Sequence, residues 1–403
     1  MAFEINSINA LILSILVLYL GYFLKSRLHF LKTYSIPVSV AGGFLFSLFA
    51  AVLAGLGILT LTIDLELRSF LLLIFFSTIG LNAKFSELAN GGKALLLLVI
   101  ACSICLIIQN IIGISVVTAL GKDPYFGLFG GSISLAGGHG TAIAWGEIVA
   151  DKGIKGISEF GLACATMGLV LGGIFGGPIA TRLIEKHDLR PSPETRGMAQ
   201  QKVATSQGDE PKKHKVSVEI IIDTVFVLAL CIVIGDAVNR FLFNNEILLP
   251  GFLTAMFAGV VMANVTDMVE VDINKEGLDL TGGVCLQLFL SMSLMSMDLL
   301  SMAESALLLM LVITAQLIFA MVFASFIVFR MMGKDYDAAV VAGGFFGLTI
   351  GATPVAIASM DAASKKHGPS YKALLIIPLV GAFFVDLINA GTIDVFLRLP
   401  LFN

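Results

Sequence analysis

Two short glycine-rich stretches interrupt apolar sequence at matching places in the two halves of a 403-residue chain. They are Ser132-Ile-Ser-Leu-Ala-Gly-Gly-His-Gly-Thr141 and Leu348-Thr-Ile-Gly-Ala-Thr-Pro-Val355. The first offers hydroxyls at Ser132, Ser134 and Thr141, an imidazole at His139, and backbone that Gly137, Gly138 and Gly140 leave open to close approach. The second offers Thr349 and Thr353 around Gly351, Ala352 and Pro354. Pro354 suits the first turn of a helix, where a missing N–H costs nothing, so a helix is expected to start near Thr353 and its counterpart near Thr141. Two helix N-termini aimed at one cavity would present amides and positive dipole ends to an anion, which suits a dianionic or zwitterionic acid. His139 is the one histidine in an apolar region. It fits either a donor to a substrate carboxylate or proton carrier, or a structural bond that holds the turn.

Other polar side chains lie within apolar runs. Asp386, one helical turn before Asn389, sits mid-run in Gly381-Ala-Phe-Phe-Val-Asp-Leu-Ile-Asn-Ala390. A carboxylate at bilayer depth costs about 2.5–3.5 kcal/mol on insertion scales, so Asp386 is expected to face the interior with a cation partner. Sodium, a substrate ammonium and a proton are the candidates. Asn110, beside Gln109, is expected to interrupt a long apolar run, and Ser77, Thr78 and Asn82 form a polar stripe. Their oxygens suit a hard, weakly held cation, or serve as polar glue between helices. Asp236 and Asp298 stand near run ends and read as interfacial; Asp223 and Glu147 are intermediate. No central arginine lies in the apolar runs, because Arg182, Arg240 and Arg330 all fall at their ends.

The elements that position these groups follow from composition. The chain is 57% hydrophobic and 13% charged, against about 25% charged in a soluble domain, so it reads as an all-α polytopic membrane protein. Forty-one glycines and 30 phenylalanines suit close helix packing and lipid-facing rings. The apolar runs exceed the roughly 10 residues of a barrel strand. Ten spans are expected at 8–24, 36–57, 68–82, 94–120, 158–181, 218–239, 249–265, 279–297, 305–330 and 371–393. The glycine-rich stretches, 126–148 and 338–360, remain as re-entrant hairpins. The first ten residues hold Glu4 and no Lys or Arg, so the first run is expected to be a retained span. The five cysteines lie in apolar runs and read as packed thiols; Cys102 and Cys105 lack further ligands at metal spacing.

The segment 187–216 is rich in Pro, Ser, Gln, Lys and Glu and reads as a flexible linker between repeats at 1–186 and 217–403. Only Arg68, Lys122, Lys152, Lys155, Arg240 and Arg398 fall on one side of the layout; the other 19 of the 25 basic residues fall on the linker's side. The positive-inside rule then puts both termini outside and the linker in the cytoplasm. Five spans per half invert the second half. A repeat is legible: Gly121-Lys-Asp123 recurs at 333 and Ala94-Leu-Leu-Leu97 begins its recurrence at 306, both at offset 212. Gly130-Gly131 recurs at 343 (offset 213) and Ala142-Ile-Ala144 at 356 (offset 214). Broken hydrophobic segments at corresponding places in inverted repeats point to a secondary transporter's binding site and to alternating access.

The motifs Phe75-Phe-Ser-Thr-Ile-Gly-Leu-Asn-Ala83, Ser134-Leu-Ala-Gly-Gly-His-Gly-Thr141, Gly168-Leu-Val-Leu-Gly-Gly173, Met332-Gly-Lys-Asp-Tyr-Asp-Ala-Ala-Val340, Gly351-Ala-Thr-Pro354 and Gly381-Ala-Phe-Phe-Val-Asp386 carry a further resemblance. On these the chain resembles the bacterial glutamate:sodium symporter family from about residue 10 to 400, the linker excepted. It has Ala136 where the family pattern has serine. The resemblance implies sodium-coupled L-glutamate uptake across the bacterial inner membrane by a homodimer, with re-entrant loops at the site and an elevator-like motion. Substrate contacts are then expected at Ser132, Ser134, Gly137–Thr141, Thr349 and Gly351–Pro354, and sodium contacts at Asp386, Asn389, Thr78 and Asn110. The partners are L-glutamate, sodium ions, membrane lipid and a second copy, with no nucleic acid. The alternatives are a sodium-coupled carrier of other organic anions such as hydroxycarboxylates, a channel, and an intramembrane enzyme using Ser134 and His139. No third orienting acid lies near that pair in sequence, so no enzyme is expected.

Overall fold

The computed structural model describes residues 2–33, 36–84, 86, 92–150, 152–154, 156–191, 218–244, 249–270, 273–297 and 305–402. Most of the 187–216 segment and Asp298 lie outside these residues. The described chain is helical. In order come α1 (Ser7–Arg27), α2 (His29–Thr33), α3 (Val38–Gly55), α4 (Glu66–Leu81), α5 (Gly92–Ala119), α6 (Pro124–Leu128), α7 (Gly138–Ala150), α8 (Ile157–Lys186) and α9 (Val218–Asn244). After them run α10 (Gly251–Met268), α11 (Lys275–Met295), α12 (Ala306–Met331), α13 (Tyr336–Ile350), α14 (Thr353–His367), α15 (Tyr371–Leu379) and α16 (Val385–Leu397). A π turn, Phe129–Ile133, extends α6, and another, Val380–Phe384, joins α15 to α16.

Eight of these helices are long and apolar enough to cross a membrane: α1, α3, α5, α8, α9, α10, α11 and α12. They coincide with eight of the ten expected spans. The third expected span is α4, whose 16 residues rise only about 24 Å against a hydrocarbon core of about 30 Å. The tenth is α15 and α16, divided by the π turn. The polar Asn110 within α5 leaves the helix unbroken over its 28 residues, with the Asn110 side chain buried. The amide leaves the helix ladder intact because it bonds outward to another segment. Outward faces are apolar, with Ile222, Val225, Phe226 and Val233 exposed along α9. The five cysteines are free and buried.

One small departure from an all-helical chain is a parallel strand pair, β1 (Ala2–Ile5) and β2 (Thr60–Ile63), in register from Ala2↔Thr60 to Ile5↔Ile63. It ties the start of α1 to the turn before α4. Ser7 donates its hydroxyl to Asp64, whose second oxygen accepts from Glu66 N at 3.0 Å. The Ser7 bond first, then the Glu66 amide, hold the Asp64 carboxyl below the usual carboxylate range.

The helices sort into two packed groups, each drawing on both halves of the chain. One group packs α1, α3 and α4 against α9, α10 and α11. Tyr22 donates to Gln287 Oε1 at 2.9 Å and Ser291 to Ser14 O at 2.9 Å within it. The other gathers α5 to α8 with α12 to α16, and α8 runs along both α13 and α14. Contacts between the groups are few. They include Arg68 with Glu147 (2.8 Å), Trp145 edge-on to Phe252 (5.7 Å between centroids), and Gly140 beside Phe75 and Leu286. All three run from α7 to the first group.

Candidate functional site

Both glycine-rich stretches are helix breaks. In the first, Gly131 leaves helical geometry (φ −104°, ψ −133°) inside the π turn. A Cβ there would lie 2.7 Å from Asn110 Oδ1, so only glycine admits the contact that follows. Asn110 Oδ1 accepts from Ser132 N at 2.9 Å, while Ser132 O accepts from Asn389 Nδ2 at 2.9 Å and from Gly137 N at 3.0 Å. The peptides on either side of Ser132 are thus clamped by two asparagines, from α5 and α16. The chain turns at Gly138, whose φ of +71° disfavours a side chain, and α7 starts there, three residues before the expected Thr141. Gly161 on α8 faces both Phe129 and Ala142, one from each arm, so the arms fold back side by side.

The second break is shorter. Gly351 and Ala352 amides both donate to Gly347 O at 3.0 Å, and Ala352 is extended with no side-chain capping bond. α14 starts at Thr353 with Pro354 in its first turn, as the sequence implies. Its first-turn amides therefore have no side-chain cap, the arrangement that attracts anions. Gly347 sits against Ala356 and Gly344 against Met360, so α13 and α14 also pack antiparallel.

The two breaks converge on one place. A Cβ at Gly168 of α8 would lie 2.1 Å from Ile350 O, beside the second break, and 3.0 Å from Leu135 Cδ2, in the first. Consecutive residues of α5 then reach one break each. Asn110 holds Ser132, and Gln109 Nε2 donates to Thr349 O at 2.9 Å. Gln316 Nε2 of α12 donates to Gln109 O at 2.7 Å, which fixes that turn of α5. Thr353 packs on Gly381 in the π turn, and α16 returns Asn389 to the first break.

His139 is buried, with Nε2 3.0 Å from Thr166 Oγ1. Thr166 Oγ1 also donates to Leu162 O at 2.9 Å, which leaves its oxygen free to accept from His139 Nε2 in the tautomer that carries its proton there. The bond fastens the start of α7 to α8 and leaves Nδ1 as the other functional nitrogen.

Among the described residues, Ser132 Oγ, Ser134 Oγ, Asn110 Nδ2, Asn389 Oδ1, Gln109 Oε1 and Gln316 Oε1 are buried without a hydrogen-bond partner. Each such group costs about 1–3 kcal/mol if it stays unsatisfied. Five are oxygens, and a hard cation or an ammonium group would satisfy them.

The structure therefore joins Ser132, Gly137, Asn110, Asn389 and Thr349, and carries Ser134, His139, Gly351, Ala352 and Thr353 beside them. Thr78 stands apart. Its hydroxyl donates to Phe75 O at 2.7 Å and packs on Gly282, with no described contact to Asn110, Asn389 or Asp386. Asp386 is half-buried, and no cation lies within ion-pair distance of it among the described residues. Asp236 pairs with Arg240 on the exposed face of α9 at 2.6 Å, and Glu147 pairs with Arg68, so neither joins the breaks. Sequence reasoning named Gln109 only as the neighbour of Asn110 and passed over Gln316 and Thr166. Gln316 carries a signal, as the one amide in the apolar run Ala306–Val322; Thr166 carries none.

Comparison with known proteins is consistent along the chain. A family model described as sodium/glutamate symporter matches residues 3–369. A sodium/glutamate symporter of Haemophilus influenzae is 38% identical over 397 residues, covering 98% of each chain. One of Escherichia coli K12 is 39% identical over 403 residues, covering 99% of each.

Proposed function

The chain belongs to the sodium/glutamate symporter family, and from that premise we propose that it takes up L-glutamate with sodium through one site built from both helix breaks. It is a transporter and not an enzyme. The observation that carries the site is the pair Gln109 and Asn110, adjacent on α5, each holding the backbone of a different break.

The anionic substrate lies between the start of α7 and the start of α14, contacting Ser132, Ser134, Gly137 to Thr141, Thr349 and Gly351 to Pro354. Helix dipoles favour an anion by about 0.3–1 kcal/mol each at exposed ends and up to about 2 kcal/mol when partly buried. Two such ends supply the positive field that the spans, lacking a central arginine, do not. Sodium is held by Asp386, Asn389 and Asn110, drawing on the free oxygen of Asn389 and the half-buried carboxylate. Thr78 is left out, because its hydroxyl is turned toward α11. Sodium bound first lowers the cost of burying an acidic substrate beside Asp386, and this coupling makes glutamate affinity depend on sodium.

The broken pairs act as re-entrant hairpins in two inverted repeats. The α5–α8 and α12–α16 group moves as one body against the α1–α4 and α9–α11 group, which also forms the homodimer in the bacterial inner membrane. The sparse contact between the groups supports this division, as does each half's contribution to both. Both termini lie outside and the linker lies in the cytoplasm.

Binding of labelled L-glutamate to purified protein in sodium and in potassium chloride tests the site. Saturable binding in sodium alone, with citrate failing to compete, is the expected result. Equal competition by citrate would replace the amino acid with a hydroxycarboxylate.

A further inference from the structure

A cavity of about 420 Å³ opens between the C-terminal ends of α8 and α12, away from both breaks. Arg182, Lys186, His187, Arg330 and Lys334 line it, and no carboxylate does. Arg182, Lys186 and Lys334 are exposed and form no ion pair among the described residues. Two acids adjoin these cations in sequence: Glu185 pairs with Lys366 at 2.6 Å, and Asp335 Oδ1 caps α13 by accepting from Ala338 N at 2.7 Å. Two aromatic rings brace the basic wall. Arg330 lies over Phe326, 5.3 Å from the ring centroid, and His187 stacks on Phe329 at 5.3 Å. Ser325 aside, the rest of the lining is apolar, and Val322 and Phe326 are about half exposed beside it. That exposed strip continues along α12 to Ile318, one turn farther into the span.

Basic residues at helix C-termini are common, since they offset the dipole and mark the cytoplasmic side. Those reasons place charges at a rim. They do not explain a concave site in which several unpaired cations face one space above an apolar strip. A small aqueous anion would meet only the charges. A molecule with an anionic head and a hydrocarbon tail meets both parts of the wall.

We propose that this cavity binds an anionic phospholipid, with its phosphate among Arg182, Lys186 and Lys334 and an acyl chain along Val322 and Phe326. The site is separate from the glutamate and sodium site and does not depend on that reading. It joins the end of α8 to the turn between α12 and α13, so a bound lipid fastens two helices of the group that holds both breaks.

The test is native mass spectrometry of the full-length protein titrated with phosphatidylglycerol, with phosphatidylcholine of the same chains, and with soluble glycerol phosphate. Phosphatidylglycerol should bind at least tenfold more tightly than either probe. The advantage should vanish in Arg182→Gln/Lys186→Gln and, independently, in Lys334→Gln, all exposed positions whose change leaves the helix packing intact. It should persist in Lys25→Gln/Lys365→Gln, which removes two charges elsewhere, one half-buried and one exposed. Equal retention of the two lipids, or unchanged affinity in both cavity variants, would overturn the proposal. Glycerol phosphate binding as tightly as the lipid would also overturn it, by making the site one for small anions.

Discussion

Asn389 shows how one side chain couples two distant segments. Its amide donates to Ser132 O while its carbonyl oxygen stays buried and free. Asn389→Ala removes both, leaving Ser132 O with only the Gly137 bond. A stability loss of about 0.5–1.5 kcal/mol follows from the lost bond. The sodium concentration for half-maximal glutamate binding should rise about tenfold, the equivalent of about 1.4 kcal/mol. Thermal unfolding and binding titrations read the two effects separately; an unchanged sodium requirement would remove Asn389 from the cation site. Asp386→Asn should cost more than tenfold in sodium dependence without comparable loss of stability, because no described partner is orphaned by the change. Asp386, Asn389 and the Ser132 region were legible in the sequence as polar groups at membrane depth. Their pairing was not, because Ser132 and Asn389 are 257 positions apart and no local pattern encodes which amide reaches which peptide.

Among the elements, α8 carries the site by allowing close approach. Its 30 residues rise about 45 Å, enough to cross the bilayer and extend beyond it. At Gly168 any Cβ would meet Ile350 O at 2.1 Å, so a side chain must push the second break away from the first. Gly168→Val should abolish glutamate binding, while Gly283→Ala, where nothing lies within 4 Å, should bind as the parent does. Equal loss, or no loss, in the two variants would show that the breaks need not meet at α8. Long apolar runs made eight spans readable in advance, and Pro354 marked the start of α14 correctly. Short α4 and the π-interrupted α15–α16 lie at the edge of what length and hydropathy register. The strands β1 and β2 lie below it, since four residues cannot establish a period and their pairing joins positions about 58 apart.

For the whole molecule, the division into two helical groups has a consequence at their boundary, where α7 meets α4, α10 and α11. If one group slides on the other, Arg68 and Glu147 cannot stay 2.8 Å apart throughout the cycle. Cysteines placed by Arg68→Cys and Glu147→Cys, joined by a short cleavable cross-linker, should block uptake, and cleaving the linker should restore it. Full uptake by the cross-linked protein would mean that this contact does not move. Composition and the recurrence at offsets of 212 to 214 lead to the expectation of two related halves. That each half would supply three helices to one group and a broken pair to the other depends on packing between remote faces. The central claim is that sodium drives glutamate through the joint site of the two breaks. Uptake of labelled L-glutamate into proteoliposomes of the purified protein, under an inward sodium gradient and with potassium in its place, tests it most directly. The account predicts accumulation above the outside concentration only with the sodium gradient. Equal accumulation in potassium, or none in either salt from correctly inserted protein, would contradict it.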